Sequence, residues 1–553
     1  MIRIKFLLLG FFLFFAFVIA KLFYLQLIKP STPFFDNYLK TRKIYPERGR
    51  LFDHNSRPLV LNQNSYLLYL EPKKIRNQKE LSQKISEVLE ISEASIESKI
   101  DMSKYWISLK SGVEEEQKKT LEKLQLDGID FDYQMKRYYP EASLAAHLVG
   151  FVGKDSEGED VGYFGLEGFY DKDLRGLPGF IETERDIVGK PILIGTQKRL
   201  NAENGRDLQL SLDKTVQEII KRKLKQGLES YKAKQGCVIT ANPSTMQIIG
   251  FACLPDYDNN QYFQFSEQYF KNPAISEVYE PGSIFKPLIM AAALEEKKVK
   301  PDDFYDEKGA VQIGEYRIRT WNDKYEGKIS MTRILEKSSN VGMVYIGDKL
   351  GNNNIYNYLK KYGFGETTGI DLQGEAAGYL KPKSNWYPID FSTVTFGQGI
   401  AVTPIQMIRA FAAIINGGKL MRPSVVEKII ASDEEKIIKP KVERKVISEK
   451  TSEIIKKMLV STVENGEYKW ARPKGYTIGG KTGTAQIPIQ GHYDPSKTIA
   501  SFIGFAPAEN PKFITLVMLR EPETSPWGSE TAAPIFFEIA KELIVYYNIV
   551  PDK

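Results

Sequence analysis

Ser283 and Lys286 lie in EVYEPGSIFKPLIMAAALEE, a serine followed three residues later by a lysine on an otherwise apolar segment. Positions three apart share a helical face. A serine hydroxyl is a weak nucleophile until a neighbouring base takes its proton, so this pair has the makings of a nucleophile and its base. Pro281-Gly282 gives a sharp entry that presents the serine at a helix start, where backbone N–H groups stabilise an anion. Pro287 removes one backbone hydrogen bond, a loss tolerated near a helix start. For Lys286 to act as a base, burial or a second nearby cation must lower its affinity for a proton.

Ser-x-x-Lys is a weak signal by itself. Ser211-Leu212-Asp213-Lys214 fits it too, but stands at a strand-to-helix turn where Ser211 or Asp213 is expected to cap. Company downstream separates Ser283 from this decoy. Ser338-Ser339-Asn340 lies in ILEKSSNVGMVYIG, and Lys481-Thr482-Gly483-Thr484 lies in YTIGGKTGTAQIPI. Taken singly, Ser338 and Asn340 read as a helix cap, and Gly480 and Gly483 as room for an edge strand to pass a helix. In this order the three elements converge on serine acyl transfer.

The elements that must hold these residues follow from the pattern. LDKTVQEIIKRKLKQGLESY reads as a helix, and GCVITANPSTMQIIGFAC as a hairpin turning at Asn-Pro-Ser-Thr. TIASFIGFAPAENPKFITLVMLREP reads as two strands joined at 507–511. TAAPIFFEIAKELIVYY closes as a helix with Ile535, Phe536, Ile539, Leu543 and Ile544 on one stripe. Strands at both ends of a helix-rich middle predict an α/β (α+β) domain, an antiparallel sheet flanked by helices. Upstream, TRKIYPERGRLFDHNSRPLVLNQNSYLLYLEP predicts two β-segments about a turn at Asp53–Ser56, and QKELSQKISEVLE and EEEQKKTLEKLQL predict solvated amphipathic helices. The chain of 553 residues exceeds one ordinary core, and NAENGRDLQL marks a boundary near residue 205.

Composition excludes several functions. The 76 basic residues are interleaved with 70 acidic ones without a basic stripe, which speaks against nucleic-acid binding. His54, His147 and His492 lie far apart without metal-ligand spacing, and each reads as structural or surface. Cys237 and Cys253 stand roughly opposite each other across the hairpin; two buried free thiols are expected, with a cross-strand pair as the other option. At the N-terminus, Arg3 and Lys5 precede FLLLGFFLFFAFVIA, and the apolar run resumes after Lys21 as LFYLQLI. Residues 6–28 are long enough to cross a bilayer. The continuation past Lys21 predicts an uncleaved anchor over a signal peptide, with the basic residues inside and the body exported.

Over nearly its whole length the chain resembles the class B, monofunctional penicillin-binding proteins, the peptidoglycan D,D-transpeptidases. RGRLFDHNSRPL resembles the family's juxtamembrane RGxIxDRxGxxL, with His54 in place of arginine and Ser56 in place of glycine. KRYYPEASLAAHLVGFVG and GYFGLEGFYDKDLRGLPG resemble its pedestal motifs, and LSLDKTVQ, FGQGIAVTPIQM and SFIGFAP its transpeptidase domain. The resemblance implies a cytoplasmic tail (1–5), a transmembrane anchor (6–28), a pedestal (29–205) and a transpeptidase domain (206–553), with no cofactor and no metal. It implies Ser283 as nucleophile, Lys286 as its base, Ser338 as proton relay and Asn340 as the group placing Lys286 and the substrate amide. Lys481 and Thr482 would hold the substrate carboxylate, with Gly483 between them and Thr484, whose N–H joins that of Ser283 in an oxyanion hole. Ser-Ser-Asn-Val-Gly leans toward the division enzyme, since the elongation type often has aspartate at the position of Asn340. The implied partners are D-Ala-D-Ala stem peptides, β-lactams, a SEDS-family glycosyltransferase, other division proteins and the inner membrane. The alternatives are an elongation-type transpeptidase, a membrane-anchored β-lactam sensor or β-lactamase, and an inert divisome scaffold.

Overall fold

The structure is a computed structural model that describes residues 2–28, 39–184, 197–432, 434–466, 468–489 and 492–552. Its contacts divide the chain into two compact units. One comprises Met1–Arg48 with Arg175–Gly205, the other Gly49–Leu174 with Arg206–Lys553. Residues 49–174, expected with the pedestal, thus pack in the same unit as the C-terminal region.

In the first unit, Ile4–Gln26 is a solvent-exposed apolar helix, long enough to cross a membrane by length and composition. The unit also holds a three-stranded antiparallel sheet in the order Leu39–Ile44, Gly179–Glu184, Gln197–Leu200.

The second unit begins with a two-residue strand, Leu51–Phe52, and a tight turn in which Ser56 takes a positive φ of 61°. The long strand Pro58–Leu70 follows and pairs antiparallel with both Ile107–Val113 and Ile129–Tyr138. Helices Gln78–Leu89 and Glu115–Lys123 bury Leu81, Ile85 and Leu121 against Leu68, Leu70 and Leu109 of these strands. The same sheet runs on from Leu51–Phe52 to a parallel neighbour, Asp207–Leu210, and so reaches the C-terminal region. The Asp53 turn is fastened there by charge. Arg57 bonds Asp53 and, at 3.0 Å, Asp213, and Asp213 also accepts the Tyr546 hydroxyl at 2.6 Å. Asp53 is fully buried, so the guanidinium supplies the counter-charge that its burial requires.

Helix α1 (Lys214–Tyr231) then starts at the Asp213 cap and leads into strands β1 (Gln235–Ala241) and β2 (Ile248–Leu254). Helix α2 (Lys286–Glu295), helix α3 (Asn340–Leu350), helix α4 (Pro404–Ile415) and helix α5 (Glu449–Asn465) form the middle. Strands β3 (Gly479–Ile489), β4 (His492–Ala506) and β5 (Phe513–Arg520) complete an antiparallel sheet in the order β2-β1-β5-β4-β3. Helix α6 (Ala532–Tyr546) closes the chain, with Ile535, Phe536, Ile539, Leu543 and Ile544 all buried, as its stripe predicts. The helices α2 and α4 run through the core and are buried along almost their whole length, with Lys286, Gln406 and Arg409 as buried polar groups among apolar neighbours. This is the α+β architecture that the pattern predicts.

One expectation is corrected. Cys237 and Cys253 occupy directly opposed positions of β1 and β2, with Cα atoms 4.1 Å apart, and are joined as a disulfide. They are not free thiols. Directly opposed side chains stand close enough to bridge, and one-residue register is the detail that the hairpin's sequence leaves open.

Candidate active site

Three segments converge. Gly282–Phe285 forms a single 3-10 turn that runs straight into α2. Residues three apart eclipse in such a turn, so Ser283 and Lys286 share a face, and the Lys286 N–H donates to the Ser283 carbonyl. Pro287 sits at the second position of α2, and the bond expected to be lost there is replaced, because the Ser283 carbonyl accepts from Lys286 N–H instead. Gly282 has φ +58°, and a Cβ there would stand 2.8 Å from the Thr484 carbonyl oxygen of β3. Behind it, Gly282 N–H donates to Gly397 C=O at 3.0 Å, and a Cβ on Gly397 would meet the Gly282 oxygen at 2.2 Å. The FGQG stretch is therefore the backing on which the serine turn rests.

The second segment is Ser338-Ser339-Asn340. Neither Ser338 nor Asn340 caps α3. Ser339 does, its Oγ accepting from Gly342 N–H at 2.9 Å, which leaves its neighbours' side chains for the site. Ser338 has φ +56°, a left-handed conformation that costs a side-chain-bearing residue about 1–2 kcal/mol. The third segment is β3, the sheet's edge strand. Gly483 lets it lie against the serine turn, since a Cβ there would come within 3.1 Å of the Pro281 oxygen and 2.4 Å of Ser501 Oγ.

The side chains meet at Ser338. Lys286 Nζ bonds the Ser338 carbonyl, Ser338 Oγ at 3.1 Å and Asn340 Oδ1 at 2.8 Å. Lys481 Nζ approaches the same Ser338 Oγ at 3.0 Å and Thr482 Oγ1 at 3.3 Å. One hydroxyl thus lies between two amines, both of them buried. Burial first, and then the Lys481 charge, hold Lys286 well below the ordinary lysine range, against an opposing pull from Glu307. These are the two influences that a lysine base requires. A neutral Lys286 keeps two N–H donors, enough for the Ser338 carbonyl and Asn340, and turns its lone pair to a hydroxyl.

Sequence reasoning missed the surroundings. Glu307, 3% exposed, accepts the Ser339 hydroxyl. Trp321 and Trp527 bring their rings to 5.1 Å at the rim. A backbone group near each is bonded to a motif: Arg319 C=O, two residues before Trp321, accepts from Asn340 Nδ2 at 3.1 Å, and Gly528 N–H, next to Trp527, donates to Thr484 Oγ1 at 3.1 Å. None of the three has a spacing relation to the motifs.

The remaining candidates stand elsewhere. Ser211 Oγ donates to the Ile248 carbonyl at 2.7 Å, Asp213 caps α1, and Lys214 pairs with Glu141, so the decoy is structural. His147 is buried against the Tyr269 carbonyl, and its burial pushes its pKa down to about 4. His54 is exposed, 2.9 Å from Glu427, and the His492 side chain lies outside the described residues. Among the described residues no group of His, Cys, Asp and Glu is placed to hold a metal.

Known proteins resemble this chain over most of its length. The family model "Penicillin binding protein transpeptidase domain" matches residues 236–541, and "Penicillin-binding Protein dimerisation domain" matches 43–210. Stage V sporulation protein D of Bacillus subtilis is 34% identical over 529 residues, covering 94% of this chain and 81% of that one. Peptidoglycan D,D-transpeptidase FtsI of Escherichia coli is 28% identical, covering 97% and 90%. The crystal structure of penicillin binding protein 2X from Streptococcus thermophilus superposes with a TM-score of 0.76 at 23% identity, covering 92% of this chain and 80% of that one. That likeness speaks to fold alone.

Proposed function

The chain belongs to the class B penicillin-binding proteins, the peptidoglycan D,D-transpeptidases, and from that premise we propose that it cross-links stem peptides through an acyl-enzyme on Ser283, in septal wall synthesis. The observation that carries the proposal is the Ser338 hydroxyl held between two buried lysines beside the serine turn. Neutral Lys286 takes the Ser283 proton as its oxygen attacks the carbonyl of the penultimate D-Ala. The oxyanion is met by the N–H groups of Ser283 and Thr484. The close approach of Gly282 to Thr484 and of Gly483 to Pro281 supports that pairing. As the intermediate collapses, the terminal D-Ala leaves as an amine. Its proton comes from the Ser338 hydroxyl, which Lys286 replenishes. Asn340 fixes Lys286 and the substrate amide, while Lys481 and Thr482 receive the terminal carboxylate. A second stem peptide's amine then attacks the ester and frees Ser283.

Asn340, where the elongation enzyme often has aspartate, supports the septal assignment, as do FGQGIAVTPIQM and relatives named FtsI. Arg3 and Lys5 before the exposed apolar helix support a cytoplasmic N-terminus, and the Cys237–Cys253 disulfide supports an oxidising compartment for the body. We assign residues 1–5 to the tail, 6–28 to the anchor, 29–205 to the pedestal and 206–553 to the transpeptidase domain. The anchor and pedestal are the surfaces for a SEDS-family glycosyltransferase.

The lifetime of the penicillin adduct tests the reaction class. A transpeptidase stays acylated for many minutes, and β-lactams inhibit it. Rapid clearance of the adduct would refute the assignment in favour of a hydrolase.

A further inference from the structure

We propose that Glu307 is a positioning residue of the acyl-transfer site, which fixes the start of α3 through Ser339 and whose carboxylate acts on Lys286. The proposal rests on the reading of Lys286 as the base.

Glu307 ends the strand Phe304–Glu307, opposite Gly327 of the strand Gly327–Ser330. Its carboxylate accepts the Ser339 hydroxyl and the Glu326 N–H, the latter at 3.2 Å. The Ser339 oxygen in turn accepts from Gly342 N–H at 2.9 Å. Donor and acceptor sides of that hydroxyl are both engaged, so Ser339 has one orientation. Its two neighbours supply three hydrogen-bond partners of the Lys286 amine: the Ser338 carbonyl, Ser338 Oγ and Asn340 Oδ1. Ser338 stands at φ +56°, a conformation that persists only where its surroundings enforce it. The Glu307–Ser339 bond is such a restraint, placed one residue away.

Charge gives the second half. A charged lysine buried in the site needs a counter-charge, and the charged groups on the elements beside Glu307 are committed elsewhere. Lys328 lies over the Phe304 ring at 4.6 Å, Asp306 pairs with Lys308, and Arg333 and Lys337 pair with Glu326. Glu307 is the carboxylate whose field reaches Lys286, opposing both burial and Lys481.

The test is the rate of acylation by a fluorescent penicillin as a function of pH, on the full chain in detergent. Glu307→Gln is expected to lower the plateau about tenfold, the equivalent of one buried hydrogen bond. It should also move the acid limb to lower pH: without the negative charge Lys286 releases its proton more easily and is neutral in more acid solution. Ser339→Ala keeps the charge, so it should lower the plateau and leave the limb in place, and Glu307→Asp should restore the limb. A wild-type profile in Glu307→Gln, or a lowered plateau with an unmoved limb, overturns the proposal. Should Glu307→Gln fail to fold, an unchanged plateau in Ser339→Ala overturns it instead. Lys286→Ala runs alongside: wild-type acylation there would refute the base reading itself, whatever Glu307 does.

Discussion

Gly282 is where one added methyl group should disable the site while leaving the fold in place. Its φ of +58° costs a residue with a Cβ about 1–2 kcal/mol. The new Cβ would also lie 2.8 Å from the Thr484 oxygen and 3.3 Å from the Ala485 Cβ, closer than packed atoms tolerate. Either the serine turn or β3 must yield, and these two segments carry the N–H groups assigned to the oxyanion. Misplacement of this kind costs about a hundredfold in rate, as does loss of one oxyanion donor. Gly282→Ala is therefore expected to be acylated by fluorescent penicillin about a hundredfold more slowly, while Tm falls by only a few degrees. Gly351→Ala is the control, because Gly351 has φ +86° and a Cβ there would meet nothing within 4 Å. It should lose similar stability and keep its acylation rate. A Gly282→Ala protein that folds and acylates like wild type would refute the claim that turn and strand jointly build the site.

Three other outcomes follow from the same structure. Lys481→Ala removes a cation that depresses Lys286, so Lys286 should hold its proton to higher pH. The acid limb of the acylation profile should then move upward, opposite to Glu307→Gln, with the largest loss near neutral pH. Cys237→Ser with Cys253→Ser opens a loop with a sequence separation of 16 residues and should destabilise the fold by about 3 kcal/mol, read by denaturant unfolding. Arg57→Ala leaves Asp53 and Asp213 without their shared guanidinium and should cost about 3 kcal/mol of stability without altering acylation per folded molecule.

The site's chemistry was legible because each motif carries its meaning in residue types: a serine with a lysine three positions on, a serine-asparagine element, and a lysine-threonine-glycine strand. The sheet and its closing helix were legible because their hydrophobic periods match their burial. What escaped depends on register and on long-range contact. Glu307 lies among Asp306 and Lys308, and nothing local distinguishes a carboxylate that will face Ser339 from two neighbours that pair with each other. The disulfide turned on one residue of hairpin register. The spacing placed Lys286 beside Ser283 and was silent on where its amine would be held, which the left-handed turn at Ser338 decides. The joining of residues 49–174 to residues 206–553 combines a parallel pairing between Leu51–Phe52 and Asp207–Leu210 with a shared hydrophobic core, and no local pattern encodes such long-range contacts.

Everything proposed for the site depends on Ser283 being the acylated nucleophile. Intact-mass measurement after exposure to penicillin, with wild type and Ser283→Ala side by side, decides that point. One stable adduct on the wild type, mapping to the peptide that carries Ser283 and absent from Ser283→Ala, is the expected result. An adduct of equal extent on Ser283→Ala would place the nucleophile elsewhere and overturn the proposed mechanism.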